Sequence, residues 1–181
     1  MRIISGKYKS KRINAPNNLP VRPTTDMAKE ALFNILNNRY YFDQISVLDL
    51  FAGIGSISFE FASRGTQQII TVDKHQGCIK FIHEVNKELD SNLIIIKSNV
   101  YTFLERTNQK FDVIFADPPY DFSIVKFQRI IDLVFDNNLL NKDGMLIIEH
   151  SKLTDLSQNP TFAQAKKYGG NMFSFFEKSI D

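Results

Sequence analysis

From Ile45 onward the apolar residues fall into short unbroken runs, separated by stretches with helical spacing. Ser46–Leu50, Gln68–Asp73, Leu93–Lys97, Phe111–Ala116 and Met145–Glu149 read as five strands. Runs of this length, bounded by turn residues, fit strands buried on both faces. Between them Ser56–Arg64, His75–Leu89 and Val100–Arg106 read as helices, with Gly65 as the C′ residue of the first. Ile124, Phe127, Ile131, Val134 and Phe135 give a further helix its buried face, and Asp143–Gly144 turns into the fifth strand. Two weaker strands follow, near Phe162–Tyr168 and Met172–Glu177, around a Gly169–Gly170 turn. A turn that tight pairs them antiparallel. Strand–helix alternation predicts an α/β fold, a mostly parallel sheet with right-handed crossovers.

Before Ile45 the pattern differs. Ile3, Ile4, Tyr8 and Ile13 are interleaved with basic residues, which predicts ordered strands in a short hairpin over residues 2–13, turning near Ser5–Gly6. Pro16, Pro20 and Pro23 make residues 14–23 an extended connector. Thr24, Thr25 or Asp26 caps a helix whose apolar face is Ala28, Ala31, Leu32, Ile35 and Leu36, and Asn37–Asn38 ends it. The division expected is a basic hairpin and connector over 1–23 and one larger domain over 24–181.

Composition narrows the classes. The chain has 181 residues, 43% of them hydrophobic, enough for one α/β domain with a sizeable core. There are 16 Phe and no Trp, so most Phe must be core. A single cysteine, Cys78, excludes an internal disulfide and a cysteine-based metal cluster, and reads as a small buried hydrophobe. No run reaches the ~18 apolar residues of a membrane span. No signal-peptide core opens the chain, and a cytoplasmic monomer without membrane contact is expected. His75, His83 and His150 lack metal-ligand spacing and read as helix-surface or sheet-edge residues, so no metal is expected; Glu30, Glu84 and Glu88 read as solvated helix acids.

Charge is uneven. Residues 1–25 carry Arg2, Lys7, Lys9, Lys11, Arg12 and Arg22 and no acid, leaving 16 basic and 20 acidic residues in 26–181. A basic arm on a mildly acidic body suits an anionic partner, with those six side chains on phosphates. A solvated tail is the plainer reading. Arg22 and Thr24–Thr25 also suit a structural tie between arm and domain.

Two loops carry candidate chemistry. Asp49-Leu50-Phe51-Ala52-Gly53-Ile54-Gly55 closes the first strand and opens a helix. Its glycines allow close approach of a ligand to backbone N–H groups. Asp73 closes the second strand, where an acid can hold ribose hydroxyls. NAD and S-adenosylmethionine both suit this pattern. Ser58 stands where the NAD fingerprint has its third glycine, and Asp49 would repel a pyrophosphate but attract the ammonium of a methionine moiety.

The second loop, Asp117-Pro118-Pro119-Tyr120, follows the fourth strand. Its prolines stiffen it. A carboxylate, a backbone carbonyl and an aromatic ring at set separation suit a flat group with an exocyclic amine. Asp117 and the Pro118 carbonyl accept the two N–H bonds, and Tyr120 stacks. A stiff surface turn is the alternative for these four residues taken alone.

Asp117-Pro118-Pro119-Tyr120, with Arg2–Lys9, Arg22-Pro23-Thr24-Thr25-Asp26 and Glu30-Ala31-Leu32-Phe33-Asn34, resembles the RsmD-type guanine-N2 methyltransferases of bacterial small-subunit (16S) ribosomal RNA. The resemblance runs from Met1 to the tail strands. It implies a Rossmann-like class I S-adenosylmethionine-dependent methyltransferase with a seven-stranded, mostly parallel sheet, an antiparallel final strand and a small N-terminal hairpin/helix extension. It also implies S-adenosyl-L-methionine held by Asp49, Phe51, Gly53, Gly55, Asp73 and Asn99, with ribosomal RNA or the small subunit as partner. Asn99 stands where many relatives carry an acid beside the adenine, and Ser5-Gly6-Lys7-Tyr8 stands where they often have Gly-Gly-Lys-Trp; Tyr8 can still stack. Phe122 reads as packing, or as pocket lining. Rival readings are an N6-adenine methyltransferase acting on DNA or RNA, a protein amide methyltransferase, for which Asn usually replaces Asp117, and a non-catalytic RNA-binding protein of the same fold.

Overall fold

The structure, a computed structural model, describes residues 1–21, 24–119 and 121–178. At its centre lies β1 (Ser46–Leu50), all five residues buried, flanked by β2 (Gln68–Asp73) and β4 (Phe111–Ala116) in parallel. With β3 (Ile94–Lys97), β5 (Leu140–Ser151), β6 (Phe162–Tyr168) and β7 (Asn171–Glu177) it forms a seven-stranded sheet in the order β3-β2-β1-β4-β5-β7-β6. β7 runs antiparallel between β5 and β6; the strands from β3 to β5 are parallel. Mostly parallel pairing with antiparallel final strands was expected and is observed.

Successive strand residues point to opposite faces, and both faces are covered. Val47, Val113, Phe115 and Ile147 pack with Leu32 and Phe33 of α1 (Asp26–Asn37), Phe59 and Phe61 of α2 (Ser56–Ser63) and Ile82 of α3 (Gln76–Leu89). Leu48, Leu50, Ile114 and Ile148 pack with Leu104 of α4 (Val100–Arg106) and with Phe127, Ile130 and Val134 of α5 (Ile124–Asp136). Continuous apolar strands are the consequence of this double cover. From β1 the chain winds through α2 to β2 on one side, and α4 later returns it to β4 on the other. A crevice opens at that reversal, above the carboxyl ends of β1 and β4.

Three local features differ from expectation. The N-terminal hairpin is a single Arg2–Arg12 bridge, not a strand ladder, and its turn spans residues 5–10. Gly6 (φ +84°) is pressed onto α2, where an added Cβ would lie 1.8 Å from the Ser63 carbonyl oxygen. Contact with α2 holds this loop, while Ile3 and Ile13 are buried in the core. β5 begins at Leu140, and Asp143–Gly144 lies within it, where the register on β4 shifts between Phe111 and Val113. His75 precedes α3 as its cap. Thr25 caps α1, its hydroxyl accepting from Ala28 N at 3.2 Å. Among the described residues no helix is long and apolar enough to cross a membrane.

Candidate active site

A cavity of about 680 Å³ occupies the crevice. Its deepest acid is Asp49, 2% exposed near the end of β1. Asp49 Oδ2 accepts from Ser58 N at 3.1 Å and from Ser58 Oγ at 2.5 Å, and Thr71 Oγ1 donates to Ser58 Oγ at 2.9 Å. Burial pushes this carboxyl up to about 7, against the two Ser58 hydrogen bonds, which favour the ionised form. At the end of β2, Asp73 accepts from Gly53 N at 2.8 Å through Oδ2 and from His75 N at 2.7 Å through Oδ1. It thereby fixes both the loop after β1 and the entry to α3. That loop carries strain: Phe51 sits at φ +59°, an uncommon conformation for a bulky residue. Ala52 N donates to Val72 O at 3.1 Å, and the Phe51 ring packs edge-on to Phe122 at 5.5 Å.

Asp117 follows β4, its N–H on Leu50 O at 3.4 Å. Pro118 is buried, Pro119 is exposed, and its carbonyl accepts from Phe122 N at 3.0 Å, closing the loop. Burial holds Asp117 well above the usual carboxylate range, and the Glu149 and Asp49 carboxylates raise it further. Burial raises Glu149 too, although Thr24 Oγ1 (2.8 Å) and Asn171 Nδ2 (2.5 Å) donate to it. Those donors oppose the shift at Glu149 by favouring its ionised form. The deep wall is thus acidic, and the exposed Lys74 and Lys126 line the mouth.

Asp49, Phe51, Gly53, Asp73, Asn99, Asp117 and Pro118 line this one cavity, drawn from separate segments of the chain. Gly55 does not line it. Its φ is +76°, and an added Cβ would lie 2.8 Å from the Phe59 ring, so backbone conformation and packing under α2 by themselves call for glycine there. Asn99 caps α4, its Oδ1 accepting from Tyr101 N at 2.9 Å, which leaves its NH2 group for a ligand. Arg22 and Tyr120 lie outside the described residues.

Pro20, Val21 and Thr24 line the cavity, but Arg2, Lys7, Lys9, Lys11 and Arg12 do not. Arg2 pairs with Asp26 (3.0 Å) and Lys11 with Glu88 (2.5 Å), so Glu88 is a partnered acid and not merely a solvated one. Lys7, Lys9 and Arg12 are exposed. Tyr8 does not present its ring freely: its hydroxyl donates to Leu89 O at 2.6 Å, at the end of α3.

Other residues gain roles that their sequence pattern did not disclose. Glu60, fully buried in α2, accepts from Ile4 N (2.8 Å), Ser5 N (3.1 Å) and Arg64 Nε (2.9 Å), tying the arm to the domain. His75 lines the cavity and caps α3, its Nδ1 accepting from Cys78 N at 3.3 Å. His150 is buried, with Nε2 2.7 Å from Ser174 Oγ, because β7 covers what would otherwise be a sheet edge. Phe122, by contrast, has both roles that its sequence suggested, lining the cavity and packing on Phe51 and Phe127. Among the described residues no group of His, Cys, Asp and Glu could hold a metal ion.

Comparison with known proteins is consistent along almost the whole chain. Residues 1–177 match the family described as conserved hypothetical protein 95. An uncharacterized methylase of Rickettsia prowazekii is 30% identical, the match covering 93% of this chain and 94% of that protein. The ribosomal RNA small subunit methyltransferase D of Buchnera aphidicola (subsp. Baizongia pistaciae) is 33% identical over 82% of this chain and 75% of its own length. Among solved structures, a hypothetical protein of Thermus thermophilus superposes with a TM-score of 0.85 at 25% identity, covering 98% of this chain and 99% of that one.

Proposed function

The chain belongs to the conserved hypothetical protein 95 family, to which the small-subunit ribosomal RNA methyltransferases D belong, and on that premise we propose that it methylates the exocyclic N2 amine of a guanine in small-subunit (16S) ribosomal RNA, using S-adenosyl-L-methionine. The observation that carries the reading is the acidic wall: Asp49, Asp73 and Asp117 meet in one cavity at the sheet's switch point.

The residues fit the cofactor. Asp49 and Asp117 are carboxylates raised by desolvation, so a ligand that brings positive charge relieves the cost of ionising them. S-adenosylmethionine is such a ligand, and when bound it supplies an activated methyl on a sulfonium. Asp49 takes the ammonium of its methionine end. Both oxygens of Asp73 already accept a backbone N–H, which orients their remaining lone pairs for ribose hydroxyls. The NH2 of Asn99 would hydrogen-bond the adenine, and Phe51 and Gly53 would line the wall beside it.

Asp117 and the Pro118 carbonyl accept the two N–H bonds of the guanine amine, whose lone pair is otherwise delocalised into the ring. Holding the amine in line for displacement supplies much of the catalysis. The guanine must leave any stack to enter so deep a cavity. Asp117 takes the amine proton as the new N–C bond forms, a role that its raised pKa suits. Lys7, Lys9 and Arg12, with Arg2 and Lys11 where their acidic partners release them, contact RNA phosphates and set position without reading bases. The protein acts as a cytoplasmic monomer.

The test is methyl transfer from labelled S-adenosylmethionine to unmodified small ribosomal subunits, their naked RNA, and duplex DNA, for wild type and Asp117→Ala. Label in ribosomal RNA that disappears in the variant is expected. Label in duplex DNA alone sinks the proposal.

A further inference from the structure

The first turn of α2 carries two serines, and opposite charges stand behind them. Ser58 donates to Asp49. Ser56, two residues earlier, accepts from Lys29 Nζ at 3.2 Å. Lys29 reaches it from α1 and is 1% exposed. Its ammonium also donates to Arg2 O at 2.6 Å and lies 3.7 Å from Glu60 Oε2. Three oxygens thus surround three protons.

An ammonium group has donors only. Ser56 Oγ is therefore the acceptor in its bond with Lys29, and its own proton is left over. Ser56 is 6% exposed and lines the cavity, and among the described residues its O–H meets no acceptor. A hydroxyl donor with a buried cation behind it faces the same cavity as Asp49. The helix N-terminus beside it adds unpaired N–H groups of the same polarity.

We infer that Ser56, backed by Lys29, forms a carboxylate subsite that takes the α-carboxylate of an amino-acid-bearing ligand whose ammonium goes to Asp49. An α-amino acid carries both charges on one carbon, so a site for it needs an acid and a donor side by side. One helical turn supplies both, through Ser58 for the acid and Ser56 for the donor. Lys29 is a positioning residue, since it acts through Ser56. Burial lowers the Lys29 pKa, and the Glu60 carboxylate opposes that shift while remaining satisfied by the arm's N–H groups. This subsite rests on the S-adenosylmethionine reading and names the half of that molecule that α2 recognises.

The test uses calorimetric binding of two probes, S-adenosylhomocysteine, which has the amino-acid end, and 5′-methylthioadenosine, which lacks it. Ser56→Ala should weaken S-adenosylhomocysteine by about tenfold, the loss of one charge-assisted hydrogen bond, and leave methylthioadenosine within about twofold. Lys29→Met, which leaves Glu60 its ion pair with Arg64 and its bonds to the arm, should do the same, and Lys29→Arg should recover most of the affinity. Equal loss of both probes in Ser56→Ala, or loss of neither, overturns the subsite alone. Wild type that binds neither probe overturns the proposed function and the subsite with it.

Discussion

Ser58 donates its hydroxyl to Asp49 Oδ2 at 2.5 Å, joining the first turn of α2 to the end of β1. Residue 58 is where a dinucleotide-binding loop would have its third glycine, so one side chain both departs from that pattern and holds the acid that replaces it. Ser58→Ala keeps the backbone bond and removes the hydroxyl. A hydrogen bond to a charged group contributes about 1.5–3 kcal/mol, so S-adenosylhomocysteine should bind at least tenfold more weakly, by calorimetry, with little change in fold by circular dichroism.

Acid titration gives a second prediction. Burial raises Asp49 from 3.8 to about 7. Between those values the folded chain binds a proton that the unfolded chain has released, so this group's contribution to stability falls as pH rises through the window, and the whole penalty stands above it. The full shift corresponds to about 4 kcal/mol at most. Asp117 and Glu149 are displaced the same way, while burial lowers His150 and so acts in the opposite direction. Asp49→Asn isolates the effect: its Tm relative to wild type should rise between about pH 4 and pH 7 and level off above that. Wild-type binding of S-adenosylhomocysteine should tighten as pH rises through about 7, where Asp49 ionises. A pH-independent Tm difference would contradict the assignment.

These two cases show what was legible in the sequence. Strands buried on both faces, such as Phe111–Ala116, announce themselves by composition. The acids at their carboxyl ends then fall together once the strand order is known, which is why Asp49, Asp73 and Asp117 could be grouped in advance. Partners distant in sequence could not. Thr24 bonds Glu149 across 125 residues, and Glu60 holds the backbone N–H groups of Ile4 and Ser5, 56 and 55 residues away. Periodicity reports that a residue is covered, not by what. Gly55 shows the same limit, since a glycine demanded by a neighbouring Phe ring looks like one demanded by a ligand.

The Glu60 network predicts a stability effect. Glu60→Ala would leave the Lys29 ammonium buried without its carboxylate and free two N–H groups of the arm. Breaking a buried pair from one side costs about 3–5 kcal/mol. The urea midpoint should fall accordingly, and Lys29→Met added to the variant should restore part of the loss.

The arm predicts a graded salt response. Removing one phosphate-binding cation should lower the slope of log affinity against log salt by about 0.7–0.9. Lys9 is exposed, whereas Lys11 is paired with Glu88. In filter binding to small-subunit RNA, Lys9→Ala should reduce the slope by nearly the full amount and Lys11→Ala by less. Equal reductions would mean that the Lys11–Glu88 pair opens on binding.

The chemistry itself is tested most directly by the product. Small-subunit RNA, methylated by wild type with labelled S-adenosylmethionine, would be digested to nucleosides and separated by chromatography with mass detection, with Asp117→Ala alongside. A guanine-N2 methyltransferase with Asp117 as its amine acceptor yields N2-methylguanosine as the labelled nucleoside and loses at least about 100-fold in the variant, the scale of a positioning and proton-accepting group. N6-methyladenosine as the labelled product, or full activity in Asp117→Ala, would contradict it.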